Sequence, residues 1–340
     1  MSAQVEAPPG SPSRPGSGLA RKVVIFTLLG ALVFAGLSLY GDVRALLENL
    51  SAFRWEMLAL AVALASGNYA LRFLRWQYYL RRIDTPVPAG ESALIFLAGF
   101  VMSVTPGKVG EVFKSLLLYE ARGHSIARTA PVVVAERLTD LVALVILTAL
   151  GALSFEQGIA ITIAGAVLVS AVLAACAYRP LGELGLSIAA RLPVLGRIAP
   201  RLREAYESLH IMTRPRPLFI GTSLATCAWA LEVVSLGVIL AGFSGVSLGW
   251  EATTFAYSAS TIAGAVAMMP GGLGVTEAGI TGLLMALGDA AMTPAVATAA
   301  TMLVRLATLW WAVLLGLVAL GLYRRHIRAR VRSGDLVVGE

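Results

Sequence analysis

Apolar runs separated by short polar breaks recur from Val23 to Leu322. Six of them, Val23–Tyr40, Met57–Leu74, Ala127–Ser154, Ile159–Ala177, Leu218–Ala241 and Ala295–Leu322, reach about 18 residues or more, enough to cross a ~30 Å hydrocarbon core as a helix. Two further stretches, Glu91–Thr105 and Glu251–Met269, end in Pro106-Gly107-Lys108-Val109-Gly110 and Pro270-Gly271-Gly272-Leu273-Gly274. Each break is followed by a second short apolar stretch, to Tyr119 and to Leu287. A helix broken at membrane depth is tolerated only inside protein or beside a wet cavity, because the freed backbone groups need partners. The pattern therefore predicts an all-α polytopic membrane protein with six full transmembrane helices and two re-entrant broken-helix hairpins. Between Asp42 and Trp55, Val43, Leu46, Leu47, Leu50 and Phe53 share one helical face, as in an interfacial helix.

The two hairpin regions repeat one another. Pro106-Gly107-x-x-Gly110 matches Pro270-Gly271-x-x-Gly274, Glu111 matches Glu277, and Glu136-Arg137-Leu138-Thr139 matches Val304-Arg305-Leu306-Ala307, at offsets of 164, 166 and 168 residues. Three crossings separate the hairpins, an odd number, so the second copy is expected upside down relative to the first. Inverted repeats with discontinuous helices near the midplane are an architecture of secondary transporters. The expected organisation is a disordered cytoplasmic arm over 1–20, a membrane domain over 21–326 and a basic cytoplasmic tail over 327–340. Within the membrane domain, repeat 1 covers about 91–155, an Arg-rich cytoplasmic loop 179–216, and repeat 2 about 251–322.

Composition agrees with this reading: 57% of the residues are hydrophobic and 14% charged, against about 25% charged in soluble chains, and the mean hydropathy is +0.78. The net charge of +7 reflects placement rather than nucleic-acid binding. With the breaks holding Arg72, Arg75, Arg81, Arg82, Arg122 and Arg128, the Arg-rich loop and both termini on one side, that side carries twenty-one cations, and the other only Arg44 and Arg54. The positive-inside rule then puts both termini in the cytoplasm, in the cell membrane. Cys176 and Cys227 lie in separate apolar spans and read as small core residues.

Nine ionisable residues fall at membrane depth: Lys108, Glu111, Lys114, Glu136, Arg137, Asp140, Glu232, Glu277 and Arg305. A charge at the centre of a span costs ~2.5 to 3.5 kcal/mol on insertion scales, so such residues are expected to pair or to line a cavity. Glu111 and Lys114 share one helical face, and Glu136 and Asp140 another with Arg137 to the side; both carboxylates are expected to support Arg137. Glu232 stands alone in its span and reads as a bond to a neighbouring helix. The half-helix beginning near Gly107 has unpaired N–H groups and a positive dipole end suited to an anion, with Lys108 beside it. The second half-helix, at Gly271 to Gly274, is expected to be equally bare but without a cation. A purely structural salt-bridge network is the competing reading of these charges. In the Arg-rich loop, Ile198, Leu202, Tyr206 and Leu209 form one face of an amphipathic stretch.

No catalytic module is legible. Gly245-Val246-Ser247-Leu248-Gly249 fits a nucleophile elbow, but the expected topology puts His124, His210 and His326 on the opposite side. Those histidines have no metal-ligand spacing, and Gly272-Leu273-Gly274 fails the dinucleotide pattern at Glu277. No metal, cofactor or nucleic acid is expected.

Taken together, Pro106-Gly107-Lys108-Val109-Gly110-Glu111 with Lys114, Glu136-Arg137-x-x-Asp140, Pro270-Gly271-Gly272-x-Gly274-x-x-Glu277 and Arg305 resemble the lysylphosphatidylglycerol synthase transmembrane-region family, also described as flippase-like. The resemblance covers roughly residues 20 to 325. It implies movement of a polar or phosphorylated lipid between leaflets, with these residues forming the head-group path and Lys108 and Lys114 standing where arginine is more usual. With the chain ending at Glu340, no aminoacyltransferase domain is expected, which argues against lipid synthesis. The expected function is a lipid translocator whose partners are phospholipids or other polar lipids. The alternatives are an intramembrane lipid-modifying transferase with Glu111 or Glu136 as base, and a scaffold for lipid- or hopanoid-synthesis enzymes.

Overall fold

The computed structural model describes residues 43–105, 111–153 and 199–332, with side chains to 328, and short pieces at 36 and between 163 and 187. The expected spans Val23–Tyr40 and Ile159–Ala177, the arm over 1–20, most of 179–198 and the first break, Pro106 to Gly110, lie outside the described residues. The described residues are all helical, with no strand among them. In chain order the helices are α1 (Val43–Ser51), α2 (Trp55–Arg82), α3 (Ala89–Ala98), α4 (Phe113–Arg122), α5 (Ile126–Ala152) and α6 (Ala199–Met212). There follow α7 (Pro215–Leu240), α8 (Trp250–Val266), α9 (Val275–Leu287), α10 (Pro294–Arg305) and α11 (Trp311–Arg332).

Among the described residues three helical segments are long and apolar enough to cross a bilayer: Trp55–Arg82, Pro215–Leu240 and Pro294–Arg328. The 27-residue α5 has the length but carries Arg128, Glu136, Arg137 and Asp140. It can occupy an apolar environment only with those groups turned into the protein.

Local chemistry sets the ends of these helices. Glu56 opens α2 and Arg81 and Arg82 close it, each charge opposing the helix dipole. Pro215 and Pro294 occupy first turns, where a missing N–H costs nothing. The Thr293 side chain accepts from Val296 N at 3.3 Å to cap α10. A turn of 3-10 helix, Gly99–Met102, extends α3. A π-turn, Leu306–Trp310, joins α10 to α11, and such turns free a carbonyl for an outside partner. Here the Tyr69 hydroxyl donates to Thr308 O.

The centre of the molecule is the pair α2 and α7, which run antiparallel. Asn68 Nδ2 donates to Ala228 O at 2.7 Å, and Ser235 Oγ to Ala61 O at 3.3 Å. Helix α5 packs along α8 and also against α6 and α7, while α11 lies against α3. At Gly151 an added Cβ would come within 2.5 Å of Phe255 N, so α5 and α8 approach backbone to backbone, as small residues permit in membrane bundles. Helix α8 turns back at Pro270–Gly272 into α9, which packs beside it. One apolar cluster gathers Trp229, Leu236, Tyr257, Ile280 and Val304; a second gathers Trp76, Tyr79, Phe96, Leu118 and Tyr323.

Three expectations change. Helix α2 does not stop near Leu74 but continues to Arg82, since Trp76, Tyr79 and Leu80 extend its buried face. Arg72 and Arg75, counted with the cytoplasmic cations, are consequently inside the bundle, 7% and 0% exposed. The interfacial helix is shorter than Asp42–Trp55: it ends at Ser51, and Phe53 drops into the core against Phe243 at 4.8 Å.

Candidate functional site

The buried charges form a network spread over α2, α4, α5 and the residues just before α4. Arg75 Nη1 lies 2.8 Å from Asp140 Oδ1 and donates to Thr139 Oγ1 at 2.9 Å, and Arg72 Nη2 lies 3.7 Å from Asp140 Oδ2. Arg137 Nη2 lies 3.2 Å from Glu111 Oε2 and 3.1 Å from Asp140 Oδ2. Lys114 Nζ donates to Glu136 Oε2 at 2.6 Å and lies 3.7 Å from Glu111 Oε2.

The expectation that Glu136 and Asp140 both support Arg137 is thus half right. Asp140, three residues on, reaches it; Glu136 points to α4 and takes Lys114 instead. Lys114 is 2% exposed, with its ammonium 4.6 Å from the Trp76 ring centre and 5.2 Å from that of Phe96. Its stem fills the space over Gly99, where an added Cβ would meet Cγ at 2.5 Å. Such a lysine is sequestered between α3, α4 and α5 and does not line the main cavity.

The second hairpin holds its own charges. Arg305 Nε donates to Glu277 Oε1 at 2.6 Å, and Arg305 Nη2 to Gly271 O at 2.7 Å. Glu277 Oε2 accepts from Gly274 N at 2.6 Å. The half-helix α9 is therefore not bare: its own third residue caps it, and a cation does sit beside it. Gly271, Gly272 and Gly274 all have positive φ, +63°, +71° and +86°, a conformation that costs L-residues but not glycine. That backbone turns the Gly271 carbonyl toward Arg305, which single-sequence spacing could not reveal.

Two pairs fall at the matched motif positions: Glu111–Arg137, with Nη2 3.2 Å from Oε2, and Glu277–Arg305, with Nε 2.6 Å from Oε1. The matched motifs of the two regions thus each carry a Glu–Arg pair.

Between the two pairs lies a cavity of about 290 Å³. Its polar wall is made by Arg72, Arg137, Asp140, Glu232, Tyr257 and Arg305. Tyr257, from α8, donates to Glu232 Oε2 at 2.5 Å, so Glu232 does bond a neighbouring helix as expected, but it does so on the cavity wall. The guanidinium of Arg72 lies 5.8 Å from the Phe100 ring centre and 6.0 Å from that of Trp229. On the other side the cavity is lined by Val266, Met268, Met269 and Leu309, of which Val266 and Met268 are 62% and 57% exposed. The cavity is therefore polar at depth and apolar at its lip.

Of the residues singled out by sequence, Arg137, Asp140, Glu232, Gly271 and Arg305 line this cavity. Glu111 and Glu277 hold two of its arginines from behind, Gly274 and Pro270 shape the hairpin tip, and Lys114 with Glu136 stand apart. Pro106, Gly107, Lys108 and Gly110 lie outside the described residues. Sequence reasoning missed Arg72, Arg75, Tyr69, Trp229 and Tyr257. The two arginines had a signal, since the apolar periodicity runs past them to Leu80; the aromatic residues had none that separates a cavity wall from ordinary core. No group of three or more candidate metal-binding side chains occurs among the described residues.

A family model described as "Lysylphosphatidylglycerol synthase TM region" matches residues 22–316. Two proteins from Methanothermobacter thermautotrophicus (strain Delta H), each named "UPF0104 membrane protein", are similar along nearly their whole lengths. One is 27% identical, covering 92% of this chain and 93% of the relative; the other is 24% identical, covering 91% and 96%. The matched Glu–Arg pairs and most of the helical bundle lie within the matched residues, and the chain belongs to the lysylphosphatidylglycerol synthase TM region family.

Proposed function

We propose that the protein is a multi-pass translocator of the cell membrane that carries a polar or phosphorylated lipid between leaflets. The observation that supports this best is the amphipathic cavity. A lipid can place its head group against Arg72, Arg137 and Arg305 while its chains leave past Val266, Met268 and Met269 into the bilayer. A volume near 290 Å³ is at the bottom of the ~300 to 1,000 Å³ range for small-molecule sites, so it suits a head group and not a whole lipid. A water-soluble solute would have no use for an apolar lip.

In this reading both termini are cytoplasmic, and the two hairpin units are inverted copies whose alternating movement exposes the cavity to one side and then the other. Pro106, Gly107, Lys108 and Gly110 keep the entry role inferred from their sequence, and Glu277, Gly274 and Arg305 serve the outer half. A membrane-lipid role fits the family description. The transferase alternative is disfavoured because Glu111 and Glu136 each face a cation, Arg137 or Lys114, which leaves neither placed to accept a proton from substrate. Leaflet-resolved lipid analysis of cells with and without the protein tests the reading. One lipid retained in the inner leaflet of deficient cells is the expected result, and unchanged distribution of every lipid class would contradict it.

A further inference from the structure

Among the described residues the buried charges around the cavity balance in number. Among the described residues the buried network contains five cations, Arg72, Arg75, Lys114, Arg137 and Arg305, and five carboxylates, Glu111, Glu136, Asp140, Glu232 and Glu277. Lys114–Glu136 and Arg305–Glu277 close on themselves at 2.6 Å each. Asp140 is shared among Arg72, Arg75 and Arg137, which leaves positive charge in excess where α2 meets α5. Glu232, which also lines the cavity and accepts from Tyr257, supplies the compensating negative charge.

Two arginines that line the cavity at the positive end each keep a buried, unfilled donor. Arg72 has a side chain only 9% exposed, and among the described residues its Nε has no hydrogen-bond partner. Arg137 has a side chain 23% exposed on the cavity, and its Nε likewise has none. Burying an arginine without filling its donors costs free energy that an acceptor oxygen would recover. A carboxylate on the cavity wall, bonded to Tyr257 and with Trp229 also lining the wall, is a suitable environment for an ammonium group.

Resting on the lipid reading above, we infer that the cavity selects a zwitterionic head group: one phosphodiester set against Arg72 and Arg137, and one ammonium set against Glu232, Tyr257 and Trp229. A ligand with no net charge leaves the balance among the described residues unchanged. An anionic or doubly cationic head group would leave an uncompensated charge in a medium of low dielectric constant.

Competition measured by native mass spectrometry tests this. The full chain in detergent micelles is offered equal amounts of phosphatidylethanolamine, phosphatidylglycerol, the lysyl ester of phosphatidylglycerol, and glycerophosphoethanolamine as the head group without chains. Phosphatidylethanolamine should be retained about tenfold or more over both charged lipids, the scale of one charge-assisted hydrogen bond, and the chainless compound should not compete. Glu232→Gln should abolish the preference over phosphatidylglycerol while lipid binding persists, and Arg72→Gln or Arg137→Gln should weaken all phospholipids together. Wild-type protein that prefers either charged lipid, or a Glu232→Gln variant with its preference intact, overturns the zwitterion assignment and leaves the lipid reading standing. Equal capture of the chainless head group points to a soluble ligand, and no capture of any of the four removes the cavity as a lipid site; both results overturn the inference and the lipid reading with it.

Discussion

The two matched sequence regions each carry a Glu–Arg pair, in different surroundings. Superposing Glu111 on Glu277 and Arg137 on Arg305 by sequence offset sets Lys114 opposite Ile280, Glu136 opposite Val304, and Asp140 opposite Thr308. Ile280 and Val304 are both fully buried in one apolar cluster, whereas Lys114 and Glu136 are a buried ion pair. One position of the fold has thus been filled by two chemistries. The difference separates charges that the architecture needs in both halves, the Glu–Arg pairs, from charges that one half replaces with hydrocarbon.

The largest effect should come from breaking a pair that both units share. Glu277→Ala removes the acceptor of Gly274 N and strands Arg305 in the interior, so a loss of ~3 to 5 kcal/mol is expected, read as a large drop in thermal stability and yield. If the variant is as stable as wild type, water reaches Arg305 and the pair is not structural. Glu136→Leu alone should cost somewhat less, ~3 kcal/mol, because Lys114 loses its 2.6 Å partner and keeps only Glu111 at 3.7 Å. Combined with Lys114→Met, which copies the apolar character of the second unit, most of that loss should return. A double variant no better than the single one would show that the two units differ in more than polarity at these positions.

A smaller effect is expected at Tyr257→Phe, which deletes the hydroxyl bonded to Glu232 at 2.5 Å. The cost should be ~1.5 to 3 kcal/mol, as for hydrogen bonds to charged groups, and an unchanged melting temperature would place that carboxylate's support elsewhere. The smallest concerns His124, in the turn between α4 and α5. Partial burial, with Arg122 and Arg128 nearby, holds its pKa below the ordinary 6.5. The unfolded chain therefore binds more protons than the folded one between that lowered value and 6.5. Stability should be full above pH 6.5 and decline slightly as pH falls through that window. His124→Asn should flatten the profile; an unaltered slope in pH-dependent melting would assign it to another group.

The same comparison explains what could be read from the sequence. The described helices and the break at Pro270–Gly272 were legible because apolar periodicity and Pro-Gly punctuation are local signals, and the repeat marked Glu111, Arg137, Glu277 and Arg305 as matched positions without showing that they pair. Which carboxylate meets which cation was not legible, since Glu136 and Asp140 lie four residues apart on one helix yet serve different neighbours. Arg72 and Arg75 looked like the charged end of a span, and only the packing of α2 on α5 brings them to Asp140. The bonds at the second hairpin tip depend on three left-handed glycines, a backbone property that residue spacing does not encode.

The central claim is that the arginine-lined cavity carries a lipid head group across the bilayer. Its most direct test is head-group movement in proteoliposomes made from the full chain, with phosphatidylethanolamine placed in the inner leaflet and its arrival outside followed by a membrane-impermeant amine reagent. Wild-type protein should bring the lipid to the outer leaflet faster than empty vesicles do, and the Arg72→Gln/Arg137→Gln double variant, inserted at equal density, should fall to the empty-vesicle rate. Movement by the double variant at the wild-type rate would contradict the account, because the head group would then cross without meeting the residues that define the cavity.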